Sequence, residues 1–319
     1  TGLKQHTGNW PGKTVTNAQG KYRYKDRNYI LVDLPGTYSL LASSVEEEVA
    51  RDFICFGNAH GTVVVVDATC LERNLNLVLQ ILEMTNKVVV CVNLMDEAKR
   101  KKIKIDLEKL SKILGVAVVG TSARSGQGLE DLKEQVKLIA AKSSFSQQFK
   151  VKYPEAIEEA INLLKPCLEQ LVGDRVDSRW AALRLLEGDY KIFRDLEKYY
   201  NFDLKENAKF NKAMAEAKEI LLKAGLSGES IRDSIVFSIV KAAEDISRQT
   251  VIIEDHRYNK IDRRIDDILT SKIWGIPIMI ILLGIVFWIT IEGANYPSEL
   301  LSKGLFWIED QLTNWFNAI

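Results

Sequence analysis

The chain has 319 residues, enough for two domains of ordinary size, and its 43 basic and 43 acidic residues cancel. A nucleic-acid partner would leave a basic excess, so the balance argues against one. The cysteines Cys55, Cys70, Cys91 and Cys167 stand far apart with no C-x-x-C pair; they are expected as buried free thiols in a reducing compartment, not as a zinc site. No signal peptide or initiator methionine stands at Thr1, so the N-terminus is expected to be internal to a longer protein.

From Thr1 to about Lys142, strand-like runs alternate with helical stretches, the pattern of a parallel sheet covered by helices. The expected strands are Lys21–Tyr24, Asn28–Asp33, Thr62–Asp67, Val88–Asn93 and Val116–Gly120. Thr62–Val66 is apolar at every position after the first, as expected of a central strand buried on both faces. From Ser143 to about Asp255 strand signals almost vanish, and amphipathic segments predict a small all-α domain entered through the Ser/Gln-rich join Ser143–Gln148. Ile273–Ile291 is an uncharged apolar run of about 19 residues, which predicts a transmembrane helix. Trp274 and Trp288 lie near its ends, and lipid tolerates Gly275, Pro277 and Gly284. Arg257, Lys260, Arg263, Arg264 and Lys272 precede the run while Glu292 and Glu299 follow it, which places the residues before it in the cytoplasm. Ser298–Ile319, with Trp307 and Trp315, is amphipathic and is expected along the far interface or against further helices, so the C-terminal end too reads as truncated. The divisions expected are 1–142, 143–255 and 256–319.

Three motifs carry chemistry. Tyr29-Ile30-Leu31-Val32 runs into Asp33-Leu34-Pro35-Gly36, and a strand ending in Asp-x-x-Gly delivers a carboxylate to Mg²⁺ and an amide to a γ-phosphate. Asn93-Leu94-Met95-Asp96 follows a second apolar strand; the Asp96 carboxylate can accept from both N1–H and the 2-amino group of guanine, and adenine offers neither donor. Asn93 is expected to tether neighbouring loops and contact the base, and Ala123, in Thr121-Ser122-Ala123, to offer its N–H to guanine O6. The competing reading is that Asn93 and Asp96 cap a helix. Each motif alone is weak; order and position at strand ends give them force.

Gly8-Asn9-Trp10-Pro11-Gly12-Lys13-Thr14 imitates a phosphate-binding loop, but three residues separate its glycines where four are required. Pro11 also removes an amide from the cradle. It is assigned to a first switch, with Thr14 offering a hydroxyl to Mg²⁺. Lys99-Arg100-Lys101-Lys102, flanked by acids, reads as a solvated helix face. His6, His60 and His256 form no ligand spacing, and Trp180 reads as core.

These strings, with Val66-Asp67-Ala68-Thr69-Cys70-Leu71-Glu72-Arg73-Asn74-Leu75, resemble the ferrous iron transport protein B family along the whole chain. The resemblance implies an α/β, P-loop-GTPase-type G domain truncated at its N-terminus, a helical domain that tunes nucleotide release, and a first membrane helix. It implies a GTP/GDP ligand, a Mg²⁺ ion, Fe²⁺ carried by a membrane domain, a bacterial cytoplasmic membrane, and a homo-oligomer or small accessory protein as further partners. Gly12, Lys13, Thr14, Val15 and Thr16 then correspond to the first switch, and Asp33, Leu34, Pro35 and Gly36 to the second. Asn93, Leu94, Met95 and Asp96 select guanine, and Ser122, Ala123 and Arg124 close over the base. Thr14 and Asp33 hold Mg²⁺, while carbonyls near Gly8 and Trp10 resemble the loop that helps hold K⁺. The family's phosphate loop and iron path are expected outside these residues, so the chain alone is expected to be inactive. The rivals are a soluble ribosome- or tRNA-associated GTPase, which would lack Ile273–Ile291, and a non-catalytic membrane-anchored fragment.

Overall fold

In the computed structural model, residues 6–9, 16–37, 39–40, 44–141, 148–173, 176–189, 191–192, 194, 197, 207–254, 268–269, 271 and 275–317 are described. The chain forms two compact units, Thr1–Glu254 and Asp255–Ile319.

The first unit opens with an antiparallel sheet of β1 (His6–Asn9), β2 (Thr16–Tyr24) and β3 (Arg27–Asp33), in that order. Helix α1 (Val45–Phe56) follows, started by Ser44, whose Oγ accepts from Glu47 N at 3.2 Å. A parallel sheet then forms in the order β4 (Thr62–Asp67), β5 (Val88–Asn93) and β7 (Ala117–Gly120). The expected strands therefore appear, but on two sheets joined by no ladder among the described residues, not on one. The expectation for Thr62–Val66 is corrected: β4 is an edge strand, and Val65 is 59% exposed because nothing described covers its outer face. β5 is the strand buried on both faces, Val88 to Val92.

Helix α2 (Leu71–Met84) covers the sheet because Leu71, Leu75, Val78, Leu79 and Leu82 recur at helical spacing and are buried. Each such side chain contributes about 1.5–3 kcal/mol by leaving water. Next come α3 (Met95–Arg100), β6 (Ile103–Ile105), α4 (Leu107–Leu114) and α5 (Leu129–Ala141). The hairpin tip between β2 and β3 docks on α5, where Glu134 accepts from Tyr24 Oη at 3.0 Å and pairs with Lys25 at 2.5 Å.

The helical part consists of α6 (Glu155–Val172), α7 (Ser178–Leu186), α8 (Ala208–Lys223) and α9 (Glu229–Thr250). α6 buries Ile157, Ile161, Leu164 and Leu168 against α7 and α8, and Trp180 is core. α9 returns to pack on α2 and α4, then runs directly into β8 (Val251–Ile253), which pairs antiparallel with β6. Composition hid β6 and β8: each has three residues, too few to show a period of two. Among the cysteines, Cys91 is buried, Cys55 and Cys167 are partly so, and Cys70 is exposed, against expectation. Cys70 begins the outward turn into α2, with its sulfur 3.2 Å from Asn74 Nδ2.

The last turn of α2 carries Glu83, 2% exposed, whose Oε1 accepts from Val151 N at 3.3 Å. Burial raises its carboxyl above the ordinary range, with Asp177 adding to the rise and Arg179, Lys150 and the Val151 amide opposing it. The native state thus keeps the proton longer than the unfolded one, so stability is lost as pH climbs from the ordinary carboxylate range towards the raised value. Glu83→Gln keeps an acceptor for Val151 and carries no charge. It is expected to melt above the parent at neutral pH, with the gap closing in acid; thermal denaturation across a pH series checks this.

In the second unit, α10 (Gly275–Asn317) exposes Ile280, Leu282, Phe287 and Trp288 among other apolar side chains. Among the described residues no helix is long and apolar enough to cross a membrane. The uncharged part, Gly275 to Ile291, reaches about 26 Å at the helical rise, short of the ~30 Å hydrocarbon core. Residues 273 and 274, where the expected span begins, lie outside the described residues.

Candidate functional site

At the end of β5 the Asn93 side chain turns towards the loop after β7. Its Oδ1 accepts from Thr121 Oγ1 at 3.1 Å and from Ala123 N at 3.1 Å. Leu94 next adopts a left-handed φ of 63°, which swings the chain into α3. That conformation costs a leucine about 1–2 kcal/mol. The same two loops are joined by Met95 N donating to Thr121 O at 3.1 Å and by Ser122 Oγ accepting from Asp96 N at 3.2 Å. Asn93 therefore tethers the loops as expected. The helix-cap reading fails for it, because Leu94 stands at the cap and no side chain bonds there.

Thr121 and Ser122 are 1% exposed, so the lacing is buried and each bond in it is costly to lose. Beneath it, Cys91 Sγ lies 3.2 Å from Thr121 Oγ1, and burial pushes the thiol up, keeping it protonated. The loop then folds on itself, with Ser122 N donating to Gln127 O at 3.1 Å. Gly126 and Gly128 hold φ of +78° and +75°. At the surface the Asp96 carboxylate is exposed and accepts no hydrogen bond among the described residues, and Ala123 and Arg124 are exposed too. A rigid, laced base thus presents one free carboxylate. The Ala123 amide is already donated to Asn93, so a ligand oxygen must compete for it.

Asp33 is the last residue of β3 and is exposed. A Cβ on Gly36 would meet nothing within 4 Å, so the loop has open space there. Beyond it, Gln80 of α2 accepts from Leu40 N at 2.7 Å and Ser39 Oγ at 3.2 Å, fixing where the loop ends. Helix α1 is then held to the helical part. Arg51, 1% exposed, pairs with Asp52 at 3.0 Å and Asp189 at 3.1 Å, and Glu48 pairs with Lys191 at 2.5 Å. Gln80, Arg51 and Asp189 carry no motif, and sequence reasoning missed them.

Of the first-switch residues, Trp10, Gly12, Lys13, Thr14 and Val15 lie outside the described residues. Gly8 is placed in β1 opposite Asn17, and Thr16 in β2 opposite Asn9. Asp33 and Asn93 end strands of different sheets, so no ladder among the described residues brings the two motifs together. Among the described residues no three His, Cys, Asp or Glu side chains cluster as a metal site. One exposed carboxylate at Asp33 fits Mg²⁺, which usually keeps waters and phosphate oxygens around one or two protein ligands.

The ferrous iron transport protein B model matches residues 1–136, and that for the FeoB cytosolic helical domain matches residues 153–270. The cytosolic domain of the T. maritima FeoB iron transporter in its GMPPNP form superposes with a TM-score of 0.61 at 33% identity, covering 79% of this chain and 91% of that one. The chain belongs to the ferrous iron transport protein B family. It carries the family's G domain and helical cytosolic domain. A GDP-bound mutant of S. thermophilus NFeoB gives a TM-score of 0.64 at 28% identity, covering 79% and 92% of the two chains. The Fe(2+) transporter FeoB of Salmonella typhimurium is 30% identical over 308 residues, 95% of this chain. The chain spans 38% of that relative's length.

Proposed function

We propose that the chain is the guanine-nucleotide-binding and coupling part of a bacterial Fe²⁺ transporter, in which GTP hydrolysis regulates or drives ferrous iron uptake. The observation that carries the reading is the Asn93–Thr121–Ala123 lacing, with the Asp96 carboxylate left free above it. That carboxylate would accept from guanine N1–H and N2–H, and guanine O6 would compete with Asn93 for the Ala123 amide. Hydrolysis is phosphoryl transfer to water, with positioning and charge as the protein's contribution. Thr14 and Asp33 would hold Mg²⁺, which neutralises phosphate charge when bound, and the Gly36 amide would meet the γ-phosphate. Thr37 stands where many small GTPases have glutamine; it is too short to orient the attacking water, so intrinsic turnover would be slow or would draw on a backbone group or cation. Carbonyls near Gly8 and Trp10 would face K⁺. Residues 1–142 form the G domain, 143–255 the helical domain and 256–319 the linker and first membrane helix, with everything before about 272 on the cytoplasmic side. Exposed apolar side chains from Ile276 to Ile291 support that span.

The test is Asp96→Asn in a competition titration with GDP and xanthosine diphosphate. Losing the acceptor pair is expected to weaken guanine by roughly 2–4 kcal/mol and to favour xanthine, which inverts the donor pattern. Unchanged guanine preference at equal fold stability would defeat the assignment.

A further inference from the structure

Lysine and arginine at a helix end are normally solvated, but the fold places apolar surface beside Lys99 to Lys102. β8 lies antiparallel to β6, with Ile252 opposite Lys104 and Ile253 opposite Ile103. Directly opposed residues share a face. Ile103, Ile105 and Val251 pack on the core, so the face with Lys104 and Ile252 turns outward, and Ile252 is 64% exposed. The ladder extends one step further, Glu254 N donating to Lys102 O at 3.0 Å. Around it Lys99, Arg100, Lys101, Lys102 and Lys104 are all exposed. Arg100 pairs with Glu97 and Lys104 with Glu254, Asp106 is occupied in capping α4, and Lys99 and Lys101 have no acidic partner among the described residues.

We propose that the β6–β8 ribbon and the end of α3 dock on an anionic lipid surface. Ile252 sits at headgroup depth, and Lys99 and Lys101 lie against lipid phosphates. The charge complements such a surface, and it continues in the sequence after Glu254 through Arg257, Lys260, Arg263, Arg264 and Lys272 towards the apolar stretch. One isoleucine offers far less than the ~800 Å² per partner that a stable protein interface needs. With the cations around it, it suffices for weak and salt-sensitive attachment to lipid. This rests on the proposed membrane reading only in that the span keeps a bilayer near.

The experiment uses the full 319-residue chain in lipid nanodiscs, with Cys55→Ala, Cys70→Ser and Cys167→Ala and a dye on Ile252→Cys. Quenching by headgroup-labelled lipid reports the patch. With Trp10, Trp274, Trp307 and Trp315 replaced by phenylalanine, and Trp180 buried in the core, Trp288 quenching by brominated lipid reports the span. Discs with about 30% phosphatidylserine should quench the dye, neutral discs should not, and about 0.5 M NaCl should abolish it. Lys99→Glu and Lys101→Glu should each weaken the response at least fivefold, since one basic residue near such a surface contributes about that factor. An unquenched dye in anionic discs, or equal quenching in neutral ones, with Trp288 responding, overturns the docking and leaves the span standing. A silent Trp288 overturns the span, and the dye's response to anionic against neutral vesicles then decides the patch alone. Lipid-independent self-quenching that grows with protein concentration would assign the face to a second copy and overturn the proposal.

Discussion

Gly128→Ala is expected to dismantle the loop that holds Asn93. The residue sits at φ +75°, where a side chain is strained, and a Cβ would lie 2.1 Å from the Gly120 carbonyl oxygen. That atom is backbone at the end of β7, so nothing flexible can yield. Gly126, by contrast, has φ +78° with nothing within 4 Å of its Cβ, so Gly126→Ala incurs strain alone, about 1 kcal/mol. For Gly128→Ala the clash adds to the strain, and a loss of about 3 kcal/mol or more is expected. The loss should fall on Ser122 N–Gln127 O first and then on the Ala123 and Thr121 bonds to Asn93. Denaturant unfolding of the two variants side by side checks the difference, and equal small losses would show that the loop is not held by this close approach.

What the sequence revealed was local. Asp33 and Asn93 could be placed at strand ends because the apolar runs before them are unbroken, and both prove to be the last residues of β3 and β5. What stayed hidden depends on contacts between distant positions. Gln80 sits forty residues from Leu40 and looks like any polar residue on an amphipathic helix. Val65 belongs to an unbroken valine run, and nothing in that run says whether a neighbour covers it. Cys91 reads as one more apolar position of a strand, and only the fold sets it beside Thr121.

Asp189→Ala is expected to destabilise the first unit by about 3 kcal/mol, because it strands a buried cation. Arg51 is 1% exposed and lies between Asp52, its neighbour on α1, and Asp189 beyond α7. Without Asp189 one arm of the guanidinium faces the interior unpaired, while Asp52, 27% exposed, screens only the other. Lys191→Ala makes a useful contrast. Its pair with Glu48 joins the same two elements, but the lysine is 52% exposed and water replaces it, so about 0.2–1 kcal/mol is expected. Replacing both ends of the buried pair, Arg51→Met with Asp189→Ala, should recover much of the loss, since removing both charges avoids the uncompensated one. α1 follows the Asp33–Gly36 loop in the chain, so these pairs are where a movement of that loop would reach the helical part. Under the proposed function, Asp189→Ala should therefore also alter the rate of nucleotide release. The double variant separates the two effects. If it regains stability but keeps the altered release, Arg51 and Asp189 transmit the switch; if release returns with stability, they only hold the fold together.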